Sequence, residues 1–405
     1  MEPVKTQKTN ETNKNSKKIP KQWNNWNWWK MSNLSNIDFE NLSRDDLIAI
    51  LKCNKEDILK IMSLANAKRE NNFVTYSKNV FIPITKICKN DCGYCAFKQS
   101  PDDPNAIILL EKEEILATLK EAEKYGCKEA LFTMGEDADK EEAVKIKLEK
   151  LGYKNMPDYI YDICKMTVEE TELLPHTNAG NFSYEDMKKL KEYNISMGMM
   201  LENSSERLMN TIAHKKSPGK DPKIRLETIE NAGKLNIAYT TGILIGIGES
   251  KEEIADSLIK IKELCDEYGH IQEVIIQNFT VSPGIEMENY EEPSLLDMVR
   301  TVAAAQLLFD EDVSVQVPPN LNYETSQIFL LCGTDDWGGV SPLSEDYVNP
   351  SSPWPTLEKL EKLTNDAGYQ LKERLAIYEK YINEKYIENP KLLEKTKKAQ
   401  KEIDN

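Results

Sequence analysis

Three of the chain's eight cysteines, Cys88, Cys92 and Cys95, are crowded into eight residues with the spacing C-x3-C-x2-C. Three thiolates so placed can each take one iron of a [4Fe–4S] cube and leave the fourth iron without a protein ligand. That open iron can chelate an amino and a carboxylate group and pass an electron to the molecule that carries them. A structural zinc site normally closes with four ligands, and an electron-carrying ferredoxin centre also wants a fourth cysteine. No fourth ligand stands nearby, because the next cysteine is Cys127 and the first histidine is His176. The remaining cysteines (Cys53, Cys127, Cys164, Cys265 and Cys332) stand singly, as small buried hydrophobes do.

The elements that must position this loop follow from the hydrophobic pattern. Short apolar runs that read as buried parallel strands occur at Asn79–Ile84, Glu129–Met134, Leu173–Thr177, Ile195–Leu201, Ala238–Ile245 and Glu273–Asn278. Amphipathic segments at helical spacing lie between them: Glu111–Tyr125, Met156–Glu170, Tyr184–Glu192, Ser205–Ile212, Pro222–Leu235 and Lys251–Tyr268. Alternation of this kind predicts right-handed βαβ units around a parallel sheet, an α/β fold of the (β/α)6 type. A helix over Leu295–Phe309 and a short run at Val313–Val317 are candidates to extend the barrel. In such folds the chemistry sits at the C-terminal ends of the strands, and the cysteine loop follows the first one.

Three further strand ends carry polar or glycine-rich turns: Met134-Gly135-Glu136-Asp137, Met200-Leu201-Glu202-Asn203-Ser204 and Gly242-Ile-Leu-Ile-Gly246-Ile-Gly248-Glu249. Together with Tyr94 just before Cys95, they make the chain resemble the radical S-adenosylmethionine (SAM) superfamily, whose fold is a partial TIM barrel. The resemblance implies a [4Fe–4S] cluster on Cys88, Cys92 and Cys95, with SAM on its open iron. It implies SAM contacts at Tyr94 near the adenine, at Gly135, Glu136 and Asp137 near the methionine amino group, at Glu202 and Ser204 near the ribose, and at Gly246 and Gly248 beside the adenosine. Met134 stands where that superfamily's motif has a first glycine.

From about Val74 to Pro355 the chain is similar to one family in particular, the CofG-type subunit of deazaflavin (FO) synthase. The resemblance is carried by Tyr76-Ser-Lys-Asn-Val-Phe-Ile-Pro, Leu174-Pro-His-Thr-Asn, Ser217-Pro-Gly-Lys-Asp-Pro, His270-Ile-Gln-Glu-Val-Ile-Ile-Gln-Asn-Phe and Asp336-Trp-Gly-Gly-Val-Ser-Pro, besides the turns above. It implies a lyase of coenzyme F-420 biosynthesis. Its reaction would close the ring of a tyrosine-derived hydroxybenzyl/ribityl-diaminouracil adduct with release of ammonia, through a 5′-deoxyadenosyl radical. It also implies a CofH-type sister subunit that makes the adduct, and a one-electron reductant. Strand-end residues His176, Thr177, Asn178, Gln277 and Asn278, with Asn320 further on, are candidates to touch the substrate. His214 reads as solvated in a polar loop, His270 as part of a helix cap, and Trp337 as either a lid over the barrel mouth or loop packing. The competing readings are the sister subunit, a radical SAM enzyme of menaquinone, biotin or hydrogenase-cofactor assembly, and a non-catalytic iron–sulfur or zinc protein.

The 68 acidic residues outnumber 52 basic ones, for a formal charge of −16, which argues against a nucleic-acid partner. No run approaches the roughly 20 apolar residues of a membrane span, and no apolar signal core opens the chain, so a cytoplasmic enzyme without membrane contact is expected. The expected organisation is a disordered polar leader over 1–35 with Trp23, Trp26, Trp28 and Trp29, helices over 36–72, the barrel over 73–320, and a loop and helical extension over 321–405.

Overall fold

The computed structural model describes Leu34, residues 36–69 and residues 71–404. Leu34 apart, the leader with its four tryptophans lies outside the described residues. Two short helices, Arg44–Leu51 and Lys55–Ala67, come first. The first is closed by a capping box in which the Ser43 and Asp46 side chains satisfy each other's backbone N–H groups. Such a cap contributes about 1 kcal/mol to a short helix.

Among the described residues nine parallel strands follow: β1 (Phe73–Thr85), β2 (Glu129–Met134), β3 (Leu174–Asn178), β4 (Ser196–Gly198), β5 (Tyr239–Ile245), β6 (Ile271–Asn278), β7 (Ser314–Gln316), β8 (Asp336–Val340) and β9 (Gln370–Arg374). Strands β1 to β8 pair in sequence and β8 returns to β1, so the barrel is closed and eight-stranded. The parallel α/β barrel is the expected fold, with eight strands where the pattern predicts six and the run Val313–Val317 supplying one of the two added. The two closing strands are short, three and five residues, and meet through one register pair, Gln316 with Asp336. The glycines of Asp336-Trp-Gly-Gly-Val hide β8 from a pattern that looks for β-branched alternation. The barrel therefore extends beyond residue 320, and β9 adds an outer pairing to the first five residues of β1.

Three other elements differ from expectation. Strand β4 stops at Gly198 instead of running to Leu201, because the chain bulges before returning to β5: Glu202 bridges Ile243, accepts from Leu244 N at 2.9 Å and has φ 64°. Bulges at a strand's end re-aim a side chain, here that of Glu202. The segment expected as a helix over Ser205–Ile212 is a 3-10 turn over Glu206–Asn210, and a helix over Glu142–Lys150 was not foreseen.

Helices such as Lys112–Lys124, Met156–Glu170, Pro222–Lys234, Lys251–Tyr268 and Leu295–Leu308 cover the barrel's outside and bury its main apolar core. The charged tail closes the opposite end: Leu392, Leu393 and Ala399 of the helix Pro390–Asp404 pack with Leu375, Ile377 and Tyr381 against Leu174, Ile195 and Ala238 at or near the starts of β3 to β5. Trp337 is fully buried, its indole N–H donating to Thr364 Oγ1 at 2.9 Å, so it packs under a helix and does not cap the barrel mouth. Among the described residues no helix is long and apolar enough to cross a membrane.

Barrels of this kind usually fill their interior with branched aliphatic side chains. Here many inward positions are polar, among them Asn79 on β1, Glu129 on β2, His176 on β3, Thr240 on β5, and Glu273 and Gln277 on β6. The register aligns them in rings: Asn79 sits beside Glu129, and Thr240 beside Glu273. A polar interior leaves space instead of a packed core.

Candidate active site

The cysteine loop leaves the C-terminal end of β1 and is tied down by backbone bonds. Lys89 N donates to Glu136 O at 2.9 Å, Gly93 N to Ala213 O at 3.0 Å, and Met287 N to Gly93 O at 2.8 Å. Two glycines make this closeness possible. A Cβ on Gly135 would fall 1.9 Å from Ile87 O, and one on Gly93 would fall 2.5 Å from Ile212 O. Cys88, Cys92 and Cys95 thereby line one wall of a cavity of about 260 Å³ at the barrel mouth. Burial pushes the Cys88 thiol up to about 11 and Cys92 upward as well, while the ammonium of Lys220 and the Ser217 hydroxyl pull Cys92 back. Burial therefore keeps these two cysteines as thiols, and a cluster bound there would have to displace their protons.

An ion-pair lattice stands directly beside this loop. Glu136 is buried and accepts from Asn90 Nδ2 at 3.0 Å, from Asn181 Nδ2 at 2.9 Å, from Asn181 N at 3.3 Å and from an Arg225 Nη at 3.0 Å. Arg225 also donates to the Met200 carbonyl at 2.7 Å and the Gly219 carbonyl at 3.1 Å. Glu202 and Lys220 form a second pair, 2.7 Å apart, with both side chains largely buried. Burial alone would push the Glu202 carboxyl up, but Lys220 and Arg225 outweigh it and hold it below the usual carboxylate range. Tyr94 shares a 3.0 Å hydrogen bond with His214 Nε2. His214 is therefore buried, not solvated, and burial together with Lys220 lowers it to about 4, so the ring is neutral.

The cavity holds some of the expected residues and leaves others outside. Tyr94, Gly135, Glu136 and Glu202 line it, together with Asn178, Gln277 and Asn278. Asp137, at φ 53°, turns away to pair with Lys140 at 2.6 Å and lines a separate hollow. Ser204 is occupied by Ser257, which bonds its N–H at 2.8 Å and its hydroxyl at 3.1 Å. Gly246 and Gly248 stand behind the wall, where the Glu249 carboxylate binds the N–H groups of Gly246 and Ile247; Leu244 faces the cavity in their place. Thr177 points outward, donating to Asn194 Oδ1 at 2.7 Å.

Beneath the first cavity a second one, about 180 Å³, continues into the barrel and shares Thr133, Asn178, Ile275, Gln277, Val348 and Asn349 with it. His176 lines this deeper space, its Nδ1 2.7 Å from Ser196 Oγ; burial, then the charge of Arg374, lowers it to about 3. Arg374 closes the floor, donating to Glu273 at 2.9 Å and to both oxygens of Asp336. Burial, with Asp336 adjacent, pushes the Glu273 carboxyl up to about 8 despite Arg374. His270 lies in the core, where its Nε2 meets the Ile229 carbonyl at 2.9 Å; Gly269 at φ 62° makes the helix cap. Sequence reasoning missed Asn90, Asn181, Lys220 and Arg225. The signal for Lys220 was Ser217-Pro-Gly-Lys-Asp-Pro, quoted for its likeness without a role.

A parallel barrel with three thiols at its mouth defines a class, and residues 82–261 match the sequence profile of the radical SAM superfamily. The chain is 72% identical over 335 residues to the 7,8-didemethyl-8-hydroxy-5-deazariboflavin synthase of Methanobrevibacter smithii, covering 82% of this chain and 98% of that protein. It is 52% identical over 347 residues to the protein of the same name from Methanocaldococcus jannaschii, covering 85% and 95%. The chain thus belongs to the 7,8-didemethyl-8-hydroxy-5-deazariboflavin synthase family. Among solved structures it resembles the FeFe-hydrogenase maturase HydG from Carboxydothermus hydrogenoformans, at TM-score 0.69 and 15% identity over 90% of this chain and 87% of that one. It also resembles methylornithine synthase PylB, at TM-score 0.65 and 19% identity over 82% and 95%. Those two likenesses show the shared barrel. The cofactors of this class are a [4Fe–4S] cluster and SAM, and the donor set fits them: three thiols and a buried lattice of paired charges face one cavity.

Proposed function

We propose that this chain closes the ring of a hydroxybenzyl/ribityl-diaminouracil adduct, releasing ammonia and yielding 7,8-didemethyl-8-hydroxy-5-deazariboflavin. The observation that carries this reading is the continuity of the two cavities, a thiol-lined mouth opening onto a polar barrel interior. Cys88, Cys92 and Cys95 would hold the cluster, and Tyr94, the backbone at Gly135, Glu136 and Glu202 would border SAM. Bound there, the cluster and SAM would supply the radical chemistry, a 5′-deoxyadenosyl radical able to take a hydrogen atom. The chain's own residues confine that event. Met199, Leu244 and Phe279 give the mouth an apolar side that excludes water, while Asn178 and Gln277 stand at the junction of the two cavities to orient the reacting part of the substrate. Glu136 and Arg225 are committed to each other, so their role is to hold the loops in place. The adduct would come from a CofH-type sister subunit and the electron from a one-electron reductant.

The test is anaerobic reconstitution with iron and sulfide, then dithionite, SAM and the adduct. Adduct-dependent 5′-deoxyadenosine with a fluorescent deazaflavin product supports the reading. SAM cleavage without deazaflavin sinks the substrate assignment, and formation of the uncyclised adduct from tyrosine identifies the sister activity instead.

A further inference from the structure

The deeper cavity contains polar groups that the protein leaves unanswered. Asn79 and Asn320 are buried, and neither amide oxygen Oδ1 has a hydrogen-bond partner among the described residues. The indole N–H of Trp354 is likewise buried and unpartnered. All three residues line the same 180 Å³ space. Buried polar atoms of this kind are rarely left unpaired, since each costs the desolvation of a group that bonds well to water. The orientation of Asn320 is set by its other end, because Nδ2 donates to Asp346 at 2.8 Å and to the Ser352 carbonyl at 3.0 Å, leaving Oδ1 free. Asn79 is admitted by a glycine: a Cβ on Gly339 would fall 2.2 Å from Asn79 Nδ2.

The chemistry of the missing partner can be read from these groups. Two acceptors and one donor need a ligand that both donates and accepts within a short span. An anionic ligand is disfavoured, because Arg374, the one cation among the residues lining this space, already pairs with Asp336 and Glu273, and the carboxyl groups of Glu129 and Asp346 line it too. A chain of hydroxyl groups meets both conditions, since each hydroxyl donates once and accepts twice. We infer that this second cavity is a subsite for a neutral polyhydroxylated chain, with Asn79, Asn320 and Trp354 as its specificity-determining contacts. This rests on the deazaflavin reading above, in which the ribityl chain of the adduct is that group. The substrate then lies with its polyol against Asn79, Asn320 and Trp354 and its reacting rings at the junction of the cavities.

The experiment compares two ligands on the reconstituted protein with SAM and without reductant: the ribityl adduct, and the same adduct carrying a plain pentyl chain. Equilibrium dialysis should show the ribityl compound bound tighter by at least on the order of 100-fold, since a site built for hydroxyls is left unpaired by their loss. Trp354→Phe, which keeps the ring and removes only the N–H, should weaken ribityl binding about tenfold and leave pentyl binding unchanged. Asn320→Ala and Asn79→Ala should do the same. Equal binding of the two ligands by the wild-type protein, or equal weakening of both by Trp354→Phe, overturns the subsite. Deazaflavin formation in a reductant-containing sample decides the functional reading separately. A protein that turns over both adducts alike loses only the subsite, and one that discriminates between them yet forms no deazaflavin keeps the subsite and loses the reaction.

Discussion

Replacing Arg225 by methionine puts the ion-pair wall of the active site to the test. The guanidinium lies 3.0 Å from Glu136, and the two side chains are only 3% and 7% exposed. Its other two bonds, to the carbonyls of Met200 and Gly219, join the ends of β4 and of the Ser217-Pro-Gly-Lys loop to the same point. Methionine removes all of these and leaves the Glu136 carboxylate buried with only amide donors. Breaking a buried pair from one side costs about 3–5 kcal/mol, mostly from the stranded charge. Neutralising that charge in Arg225→Met/Glu136→Gln should return about 2 kcal/mol, so the double variant is less damaged than the two single effects predict. Urea unfolding under anaerobic conditions measures both quantities. The same samples should retain less iron after gel filtration, because the Glu136 backbone and side chain hold Lys89 and Asn90 beside Cys88. A cost below about 1 kcal/mol for Arg225→Met, in the range of exposed pairs, would show that water reaches this wall and refute its role as a buried frame.

Three further outcomes are expected. Gly135→Ala should lower iron retention and 5′-deoxyadenosine formation together, read by iron content and product assay, since the new methyl would collide with Ile87 O and displace the cysteine loop. Thr177→Val should cost about 1 kcal/mol in urea unfolding with turnover unchanged, while Asn178→Ala at the cavity junction should raise KM for the adduct. Burial lowers the folded pKa of His270 to about 4, below the value near 6.5 of an unfolded chain, so the unfolded state binds the proton first as pH falls. Stability should be fully present above about pH 6.5 and decline toward pH 4. His270→Gln should remove about 1.4 kcal/mol per pH unit of that slope between them, read from urea midpoints measured across the range; an unchanged slope would contradict the burial.

The local parts of this protein are legible in its sequence because they depend on near neighbours. The spacing of Cys88, Cys92 and Cys95, the amphipathic period of helices such as Lys251–Tyr268 and the apolar run of β5 are set by residues a few positions apart. Their order, strand then helix then strand, is enough to imply a parallel barrel with its chemistry at one end. What the tertiary structure decided are the contacts between distant segments. Strand β8 holds its place by closing onto β1, and its Gly338-Gly339 pair leaves it no strand pattern of its own. Thr177 and Asn178 look alike as strand-end polar residues, but the two-residue period of the strand sends one outward to Asn194 and the other into the cavity. Glu136 finds Arg225 across 89 residues, and Asn79 comes to share a space with Asn320 and Trp354. No neighbour in sequence records such meetings, because they exist only once the barrel has closed around them.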